Sequence, residues 1–428
     1  MTPVSLAQAA TWSIGSLAIA GVIVRPWRVP EAAWAVAGAV ALLVSGLLTW
    51  RAAAFAVGEG TDVYLFLTGM MLLSELARRE GLFDHLAALA VRRAAGSPRR
   101  LFLLAYVIGT LVTVFMSNDA TAVVLTPAVY AAAKKAGAKP LPYLFVCAFI
   151  ANAASFVLPI SNPANLVIFR TQMPPLLQWI GLFALPSVFA IAATYATQRF
   201  LQRGGLRGSI VSDIDIPTLS RAGAASGYGI LGVAVALLAA SFLGMPLGLP
   251  TLLVTSLVAA IVLVGKREAP WELLKGVSWG VLLLVAALFV LVQGLVQTGV
   301  VHALGVLLQA SAQRSVIGTA FGAGGAVAIA SNLVNNLPMG LISGSAIDVA
   351  TAVPVDVLIQ SAITVAVDLG PNLSVTGSLA TILWLTAIRR EGVDVSAWQF
   401  LRLGVVVMPV ALLLALAALL IRPTLWPE

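Results

Sequence analysis

The 428-residue sequence has little charge, a single cysteine and two histidines. One thiol, Cys147, excludes an intramolecular disulfide and a thiolate metal cluster within one chain. It lies in an apolar run, so we assign it to packing. The isolated His85 and His302 form no zinc-protease motif, and no Walker A sequence is present. We therefore expect no cofactor, no bound metal, no ATP hydrolysis and no enzyme activity.

Charged residues make up only 10% of the chain and hydrophobic residues 60%, whereas soluble proteins contain about 25% charged residues. Apolar stretches of about 20 residues, separated by short charged loops, are typical of membrane-spanning helices rather than barrel strands. The net charge of +8 is assigned to basic loops on the cytoplasmic side, and we expect no nucleic-acid partner. The sequence thus predicts a protein embedded in the lipid bilayer.

We predict an all-α integral membrane protein with ten transmembrane helices and two re-entrant helical hairpins. The hairpins are predicted at 101–133 and 315–346. An alternative treats each hairpin as two full spans and places Asn118 or Asn332 in an external loop. The ten predicted spans are 8–24, 32–49, 62–77, 142–169, 175–196, 227–243, 250–265, 277–297, 355–388 and 403–421.

The distribution of basic residues predicts the orientation. With the N-terminus outside, only Arg51, Arg170, Arg314 and Arg422 of the 25 Lys and Arg residues lie on the outer side. This asymmetry indicates a multi-pass protein of the inner (cytoplasmic) membrane with both termini external. Each half then has five spans and one hairpin, so the halves form an inverted repeat. We predict a first repeat at 1–197, a cytoplasmic linker at 198–226 and a second repeat at 227–428. Amphipathic interfacial helices are predicted before each hairpin, at 83–93 and 301–313.

Four polar runs interrupt the apolar segments, at 117–121, 159–165, 331–338 and 368–378. Polar residues inside a bilayer are costly and are usually kept for function. Broken helices are tolerated there only where they face protein or a water-filled cavity. We therefore predict that the four breaks meet in one pocket near the bilayer midplane. The candidate substrate-binding residues are Ser117, Asn118, Thr121, Ser161, Asn162, Asn165, Asn332, Asn335, Asn336, Asn372, Thr376 and Ser378.

These hydroxyl and carboxamide groups both donate and accept hydrogen bonds. Because no Arg or Lys lies in the breaks, a small neutral polyhydroxy solute or a hard cation fits better than a tightly held anion. The competing interpretation is that the Asn and Ser side chains only satisfy helix ends or pack helices together.

Two carboxylates, Asp119 and Asp368, lie in the breaks, and burial disfavours the charged form of a carboxyl group. Both are therefore candidates for proton coupling, with Asp119 preferred because it lies at a hairpin tip. Asp368 could instead cap a half-helix. Asp62 and Glu75 are placed near the membrane surfaces and receive less weight.

Four stretches carry a family resemblance: SNDATAVVLTPAV (117–129), FIANAASFVLPISNPANLVI (149–168), SNLVNNLPMG (331–340) and DLGPNLSVTGSLATILWL (368–385). They closely resemble the ArsB arsenite efflux permeases of the ion-transporter superfamily. The resemblance implies export of arsenite and antimonite in exchange for protons, with optional pairing to a soluble ArsA ATPase. Arsenite at neutral pH is the uncharged trihydroxide, which suits an amide-rich pocket. Some members carry an acidic residue where this chain has Asn152, so coupling here would depend on Asp119 or Asp368.

The nearest alternative function is a sodium/proton antiporter of the same superfamily, because the same oxygen atoms could coordinate sodium. A membrane enzyme would need a nucleophile–base pair or metal ligands in the core, which the sequence does not show. A channel is the third alternative.

Overall fold

The computed structural model describes residues 5–170, 173–350 and 357–421. All regular secondary structure in these ranges is helical. The described residues do not include the start of the ninth predicted span, at 355–356, or Arg422 and the C-terminal residues after it. The α-helices are α1 Leu6–Val24, α2 Glu31–Val44, α3 Trp50–Glu59, α4 Thr61–Arg79, α5 Leu82–Arg93, α6 Pro98–Phe115, α7 Asn118–Ala120, α8 Thr126–Lys135, α9 Leu141–Ala153, α10 Pro163–Ile168, α11 Leu176–Leu201, α12 Arg221–Phe242, α13 Gly248–Lys266, α14 Trp271–Gly276, α15 Gly280–Gln297, α16 Val300–Arg314, α17 Val316–Val334, α18 Asn336–Ala350, α19 Val357–Leu369, α20 Leu379–Arg390 and α21 Ala397–Leu419.

Eight of these helices are long and apolar enough to cross a membrane: α1, α6, α11, α12, α13, α15, α17 and α21. Three shorter apolar segments occur at Glu31–Val44, Leu141–Ala153 and Val357–Leu373. The predicted class, an all-α integral membrane protein, is confirmed, and the count of ten spans stays a prediction. Two short helices, α3 and α14, were not expected from the sequence. The interfacial helices predicted at 83–93 and 301–313 correspond to α5 and α16.

Each predicted hairpin is a pair of helices joined at a sharp break. Ser97 caps α6 by accepting a hydrogen bond from the Arg100 N–H at 3.3 Å. Ser315 caps α17 in the same way, from the Gly318 N–H at 3.0 Å. The first hairpin then runs through α6, α7, a π-helical turn at Thr121–Leu125 and α8, and the second through α17 and α18. Their arms are longer than the predicted 101–133 and 315–346.

Both ends of the first hairpin lie at the same end of the helix bundle. The Ile210 N–H donates to the Gly96 carbonyl at 3.0 Å, and the Val211 N–H donates to the Ala136 carbonyl at 2.9 Å. Two consecutive residues thus hold the entry and the exit of the hairpin together, as both a re-entrant hairpin and a pair of full spans require. The connection that carries them is shorter than the predicted 198–226, because α11 continues to Leu201 and α12 begins at Arg221.

The two halves are interlocked through reciprocal helix pairs. Helix α4 packs against α13, and α15 packs against α2. Helix α10 packs against the second hairpin, at α18, while α20 packs against the π-helical turn of the first hairpin. The last long helices of the halves, α11 and α21, pack against each other. Two equivalent halves related by an approximate two-fold axis would produce this pattern, and we propose the repeat boundaries 1–197 and 227–428 on that basis.

An aromatic cluster holds the broken helices in place. Phe149 and Phe400 stack with ring centroids 4.9 Å apart, and Trp384 lies 5.8 Å from Phe400. The Trp384 indole N–H donates to the Leu144 carbonyl at 2.9 Å. These rings are fully buried, so they fix α9, α20 and α21 relative to one another beside the polar breaks.

Candidate functional site

Two broken helices cross in the centre of the polar region. Helix α9 ends at Ala153 and α10 begins at Pro163, while α19 ends at Leu369 and α20 begins at Leu379. The second helix of each pair, α10 or α20, starts with a side-chain cap. The Asn162 Oδ1 accepts from the Ala164 N–H at 3.0 Å, and the Ser378 Oγ accepts from the Thr381 N–H at 3.1 Å. Capping is therefore one role of these two predicted site residues.

Asp368 lies at this crossing and is completely buried. Its Oδ1 accepts a hydrogen bond from the Asn162 Nδ2 at 2.6 Å. Ser155 and Asn165 also face the carboxyl group, while Oδ2 has no geometric hydrogen-bond partner among the described residues. The surrounding groups are neutral hydroxyls and amides. Since the bonded partner is a side chain of the other half, the geometry does not support helix capping as the role of Asp368.

Asn152 occupies the position in the first half that Asp368 occupies in the second. Residue 152 is the penultimate residue of α9, and residue 368 is the penultimate residue of α19. Residue 165 is the third residue of α10, and residue 381 is the third residue of α20. Asn152 Nδ2 donates to the Asn372 Oδ1 at 3.0 Å and to the Thr381 Oγ1 at 3.3 Å. The crossing thus has two equivalent polar positions, one with a carboxyl group and one with a carboxamide.

The structure brings together the predicted residues Asn162, Asn165, Asn372 and Asp368. Sequence reasoning did not include Ser155 and Thr381, and it treated Asn152 only as a departure from a family pattern. The spacing of 216 positions between residues 152 and 368, repeated between 165 and 381, is the signal that could have found Asn152 and Thr381. The predicted residue Ser161 donates to the Val114 carbonyl at 2.9 Å, which ties the crossing to the first hairpin.

A second polar cluster joins the second hairpin to the break after α19. The Asn332 Nδ2 donates to the Gly370 carbonyl at 2.9 Å, and its Oδ1 accepts from the Ser374 N–H at 3.0 Å. Thr376 Oγ1 donates to the Asn332 carbonyl at 3.0 Å. Gly370 permits the close approach of α17 to this break, because a Cβ at residue 370 would lie 2.5 Å from the Ala328 carbonyl oxygen. Asn332 is therefore occupied in holding two elements together.

The tip of the second hairpin has a strained backbone at Asn335. Its φ of 74° and ψ of 152° belong to a region that is essentially restricted to glycine and costs about 1–3 kcal/mol for other residues. The Asn335 Nδ2 donates to the Thr376 carbonyl at 3.3 Å. The next residue, Asn336, donates its N–H to the Gly377 carbonyl at 2.8 Å. Such strain persists where surrounding contacts impose it, and it is common at ligand sites.

Asp119 lies in a separate place, at the tip of the first hairpin. Ser117 caps the short α7 by accepting from the Ala120 N–H at 3.2 Å, and Asn118 Oδ1 accepts from the Asp119 N–H at 2.9 Å. Thr121 shares a hydrogen bond with Thr113, with 2.8 Å between their hydroxyl oxygens. The single pocket predicted from the sequence is thus represented by three polar clusters, at the helix crossing and at the two hairpin tips.

The cleft at the first hairpin tip contains two carboxylates. Asp119 and Ser117 line it together with Glu75 of α4 and Ser278. Glu75 is buried and accepts two hydrogen bonds from the Arg78 guanidinium, at 2.7 and 2.6 Å. Glu75 receives little weight in the sequence analysis. Its spacing of three residues from Arg78 on one helix face was the available signal.

Re-entrant hairpins and crossed broken helices with polar breaks are the architecture of secondary membrane transporters. The chain belongs to the citrate transporter family (CitMHS), whose model matches residues 19–367. The protein is therefore a multi-pass membrane transporter.

Three relatives match across most of the chain. An uncharacterized transporter of Mycobacterium tuberculosis is 28% identical and covers 94% of this chain and 96% of its own. The arsenical pump membrane protein of Yersinia enterocolitica is 28% identical over 82% of this chain and 84% of its own. The protein of that name in Escherichia coli is 26% identical over 90% of this chain and 92% of its own. The resemblance found in the four stretches is confirmed.

Two solved structures share the fold. The Alcanivorax borkumensis YdaH transporter matches with a TM-score of 0.57 at 16% identity, covering 85% of this chain and 86% of that one. Neisseria gonorrhoeae MtrF, from a class of antimetabolite efflux pumps, matches with a TM-score of 0.52 at 12% identity. The match covers 100% of this chain and 96% of that one.

Proposed function

We propose that this transporter exports arsenite and antimonite, as their neutral trihydroxides, from the cytoplasm in exchange for protons. The observation that carries the proposal is the buried Asp368 carboxyl group, surrounded by neutral amides and hydroxyls where the two broken helices cross. Relatives named arsenical pump membrane protein support the substrate assignment. The location would be the inner membrane with both termini external, and pairing with a soluble ArsA ATPase would be optional.

The chemistry of the clusters favours a neutral solute over the tricarboxylate that gives the family its name. A carboxylate substrate is usually held by Arg or Lys, which form charge-assisted hydrogen bonds with it. The three polar clusters provide Asn, Ser and Thr side chains instead. Two nearby guanidinium groups already have carboxylate partners: Arg78 bonds Glu75, and Arg170 bonds Asp348 with 3.1 Å between nitrogen and oxygen.

Proton exchange follows if the solute and the proton compete for Asp368. A deprotonated carboxylate is an acceptor for the hydroxyl groups of arsenite, and a protonated carboxyl group loses part of that accepting capacity. Oδ1 already accepts from Asn162, so Oδ2 is the oxygen that remains for the solute or the proton. The carboxyl group then releases its proton to the cytoplasm before the solute binds. Asp119, in the cleft at the first hairpin tip, is the second candidate for a transported proton.

Transport measurements test the proposal directly. Cells that lack their own exporter should gain arsenite resistance and accumulate less arsenite when they express this protein. Everted vesicles should accumulate arsenite when their interior is more acidic than the medium. Exchange of sodium for protons without arsenite transport would favour the sodium/proton antiporter. Uptake of citrate without uptake of arsenite would refute the substrate assignment.

A further inference from the structure

A second, apolar cavity lies between the interfacial helix α16 and the second hairpin. Its volume is about 510 Å³, within the range of about 300–1,000 Å³ that is typical of ligand pockets. Leucine side chains of α16 form one wall, Gly318, Gly322 and Ala326 of α17 form another, and α18 and α19 close the inner side. The small residues on α17 are what leave the space open.

The equivalent place in the first half is filled. There the interfacial helix α5 faces α6, α8 and α9, as α16 faces α17, α18 and α19. The remaining volume is only about 10 Å³, between Ala87, Ala90 and the side chains of the first hairpin. Since the two halves share the arrangement of helices, the open cavity is a specific feature of the second half and not a consequence of the fold.

Helix α16 is held in a position that keeps the cavity open. At Gly305 it packs so closely on α18 that a Cβ would lie 2.8 Å from the Ala346 carbonyl oxygen. Beyond this contact, the α16 residues Leu304, Leu307 and Leu308 line the cavity with their side chains. An open apolar space beside hydrocarbon is filled by apolar groups, because an empty one forfeits the dispersion contacts of its lining.

The mouth of the cavity is polar and positively charged. Arg314 lies at the last turn of α16 with Ser311 beside it, and Ser315 caps the N-terminus of α17. The Arg314 guanidinium and the positive end of the α17 dipole are both complementary to a negative group. The remaining lining is mainly apolar, which calls for an amphiphilic ligand with an anionic head and a hydrocarbon tail.

We propose that this cavity binds an anionic phospholipid, with the headgroup at Arg314 and one acyl chain between α16 and α17. The site is independent of the transported substrate. It lies against the second hairpin, whose tip carries Asn332 and Asn335, so the bound lipid would be positioned to support that hairpin.

Two matched substitutions on α17 test the acyl-chain position. A Cβ at Gly322, which lines the cavity, meets no atom within 4 Å, and the same holds for Gly325, which is not among the lining residues. Gly322→Trp should therefore fill the cavity, while Gly325→Trp places the same side chain on the same helix outside it. Each protein is purified in mild detergent, reconstituted in nanodiscs with phosphatidylglycerol or phosphatidylcholine, and analysed for bound lipid by native mass spectrometry.

We expect wild type and Gly325→Trp to retain phosphatidylglycerol and Gly322→Trp to lose it. Arg314→Gln should reduce the preference for phosphatidylglycerol over phosphatidylcholine roughly five-fold, because that is the contribution of one basic residue to the binding of anionic lipid at a membrane surface. Monodisperse elution of all four proteins confirms that they fold. Equal lipid retention in both Trp variants would overturn the proposal. The proposal would also be overturned if the wild-type protein were a dimer and only Gly322→Trp dissociated it, because a second copy of the chain would then cover the cavity.

Discussion

Replacing Asp368 with Asn should remove the proton that Asp368 exchanges for arsenite while leaving the protein folded. The substitution keeps the shape of the side chain and an oxygen that can accept from Asn162 Nδ2, which lies 2.6 Å from Oδ1. Among the described residues, it removes the only carboxyl group at the crossing of the broken helices. Because the amide is always neutral, solute and proton can no longer compete for that position.

The magnitude follows from the number of protons exchanged. One pH unit corresponds to about 1.4 kcal/mol per proton, which is a tenfold ratio of concentrations. If Asp368 carries one proton per arsenite, wild-type everted vesicles should reach about tenfold accumulation for each unit by which their interior is more acidic. If Asp119 carries a second, the limit is about one hundredfold. Asp368→Asn should show no accumulation in the first case and about tenfold in the second.

The assay is uptake of radiolabelled arsenite into everted vesicles under an imposed pH gradient, with expression measured by immunoblot. Asp213→Asn, on the exposed connection between the halves, provides a matched control and should behave as wild type. Exchange of arsenite without a gradient shows whether Asp368→Asn still binds the solute. If Asp368→Asn accumulates arsenite as wild type does, Asp368 carries no transported proton and the proposed mechanism is wrong.

Three further predictions address the thiol, the topology and the hairpin tip. Cys147→Ala should export arsenite almost normally, because one buried thiol cannot coordinate arsenic three times; complete loss in a well-expressed protein would mean that the thiol takes part. In that cysteine-free background, an impermeant external reagent should label a cysteine at position 348 but not at position 134, and labelling at 134 would contradict the re-entrant first hairpin. Asn335→Gly should be more stable than Asn335→Ala by about 1–3 kcal/mol in thermal unfolding, because only glycine relieves the backbone strain; equal stability would refute it.

The polar breaks could be located without a structure because they contrast with apolar surroundings. A bilayer has no water to satisfy free backbone groups, so a run such as SNDAT marks an interruption wherever it falls in an apolar segment. The two hairpins and the split of α9 from α10 and of α19 from α20 were predictable for the same reason, whereas the two interfacial helices were predictable from their amphipathic pattern. The boundaries were less accurate, since α6 and α8 extend beyond 101–133 and α3 was not expected.

Which polar side chains meet was decided by tertiary packing. Asp119 and Asp368 look alike in sequence, yet one lies in a partly exposed cleft with Glu75 and the other is buried against Asn162. That difference arises because the α9–α10 and α19–α20 segments cross, which brings together residues 206 positions apart in the chain. The internal repeat shows which positions of the two halves are equivalent, but composition and helix periodicity do not show which side chains of the two segments make contact. The apolar cavity beside α17 has the same origin, because the small residues of α17 leave a space only where the packing of α16 at Gly305 keeps that helix in place.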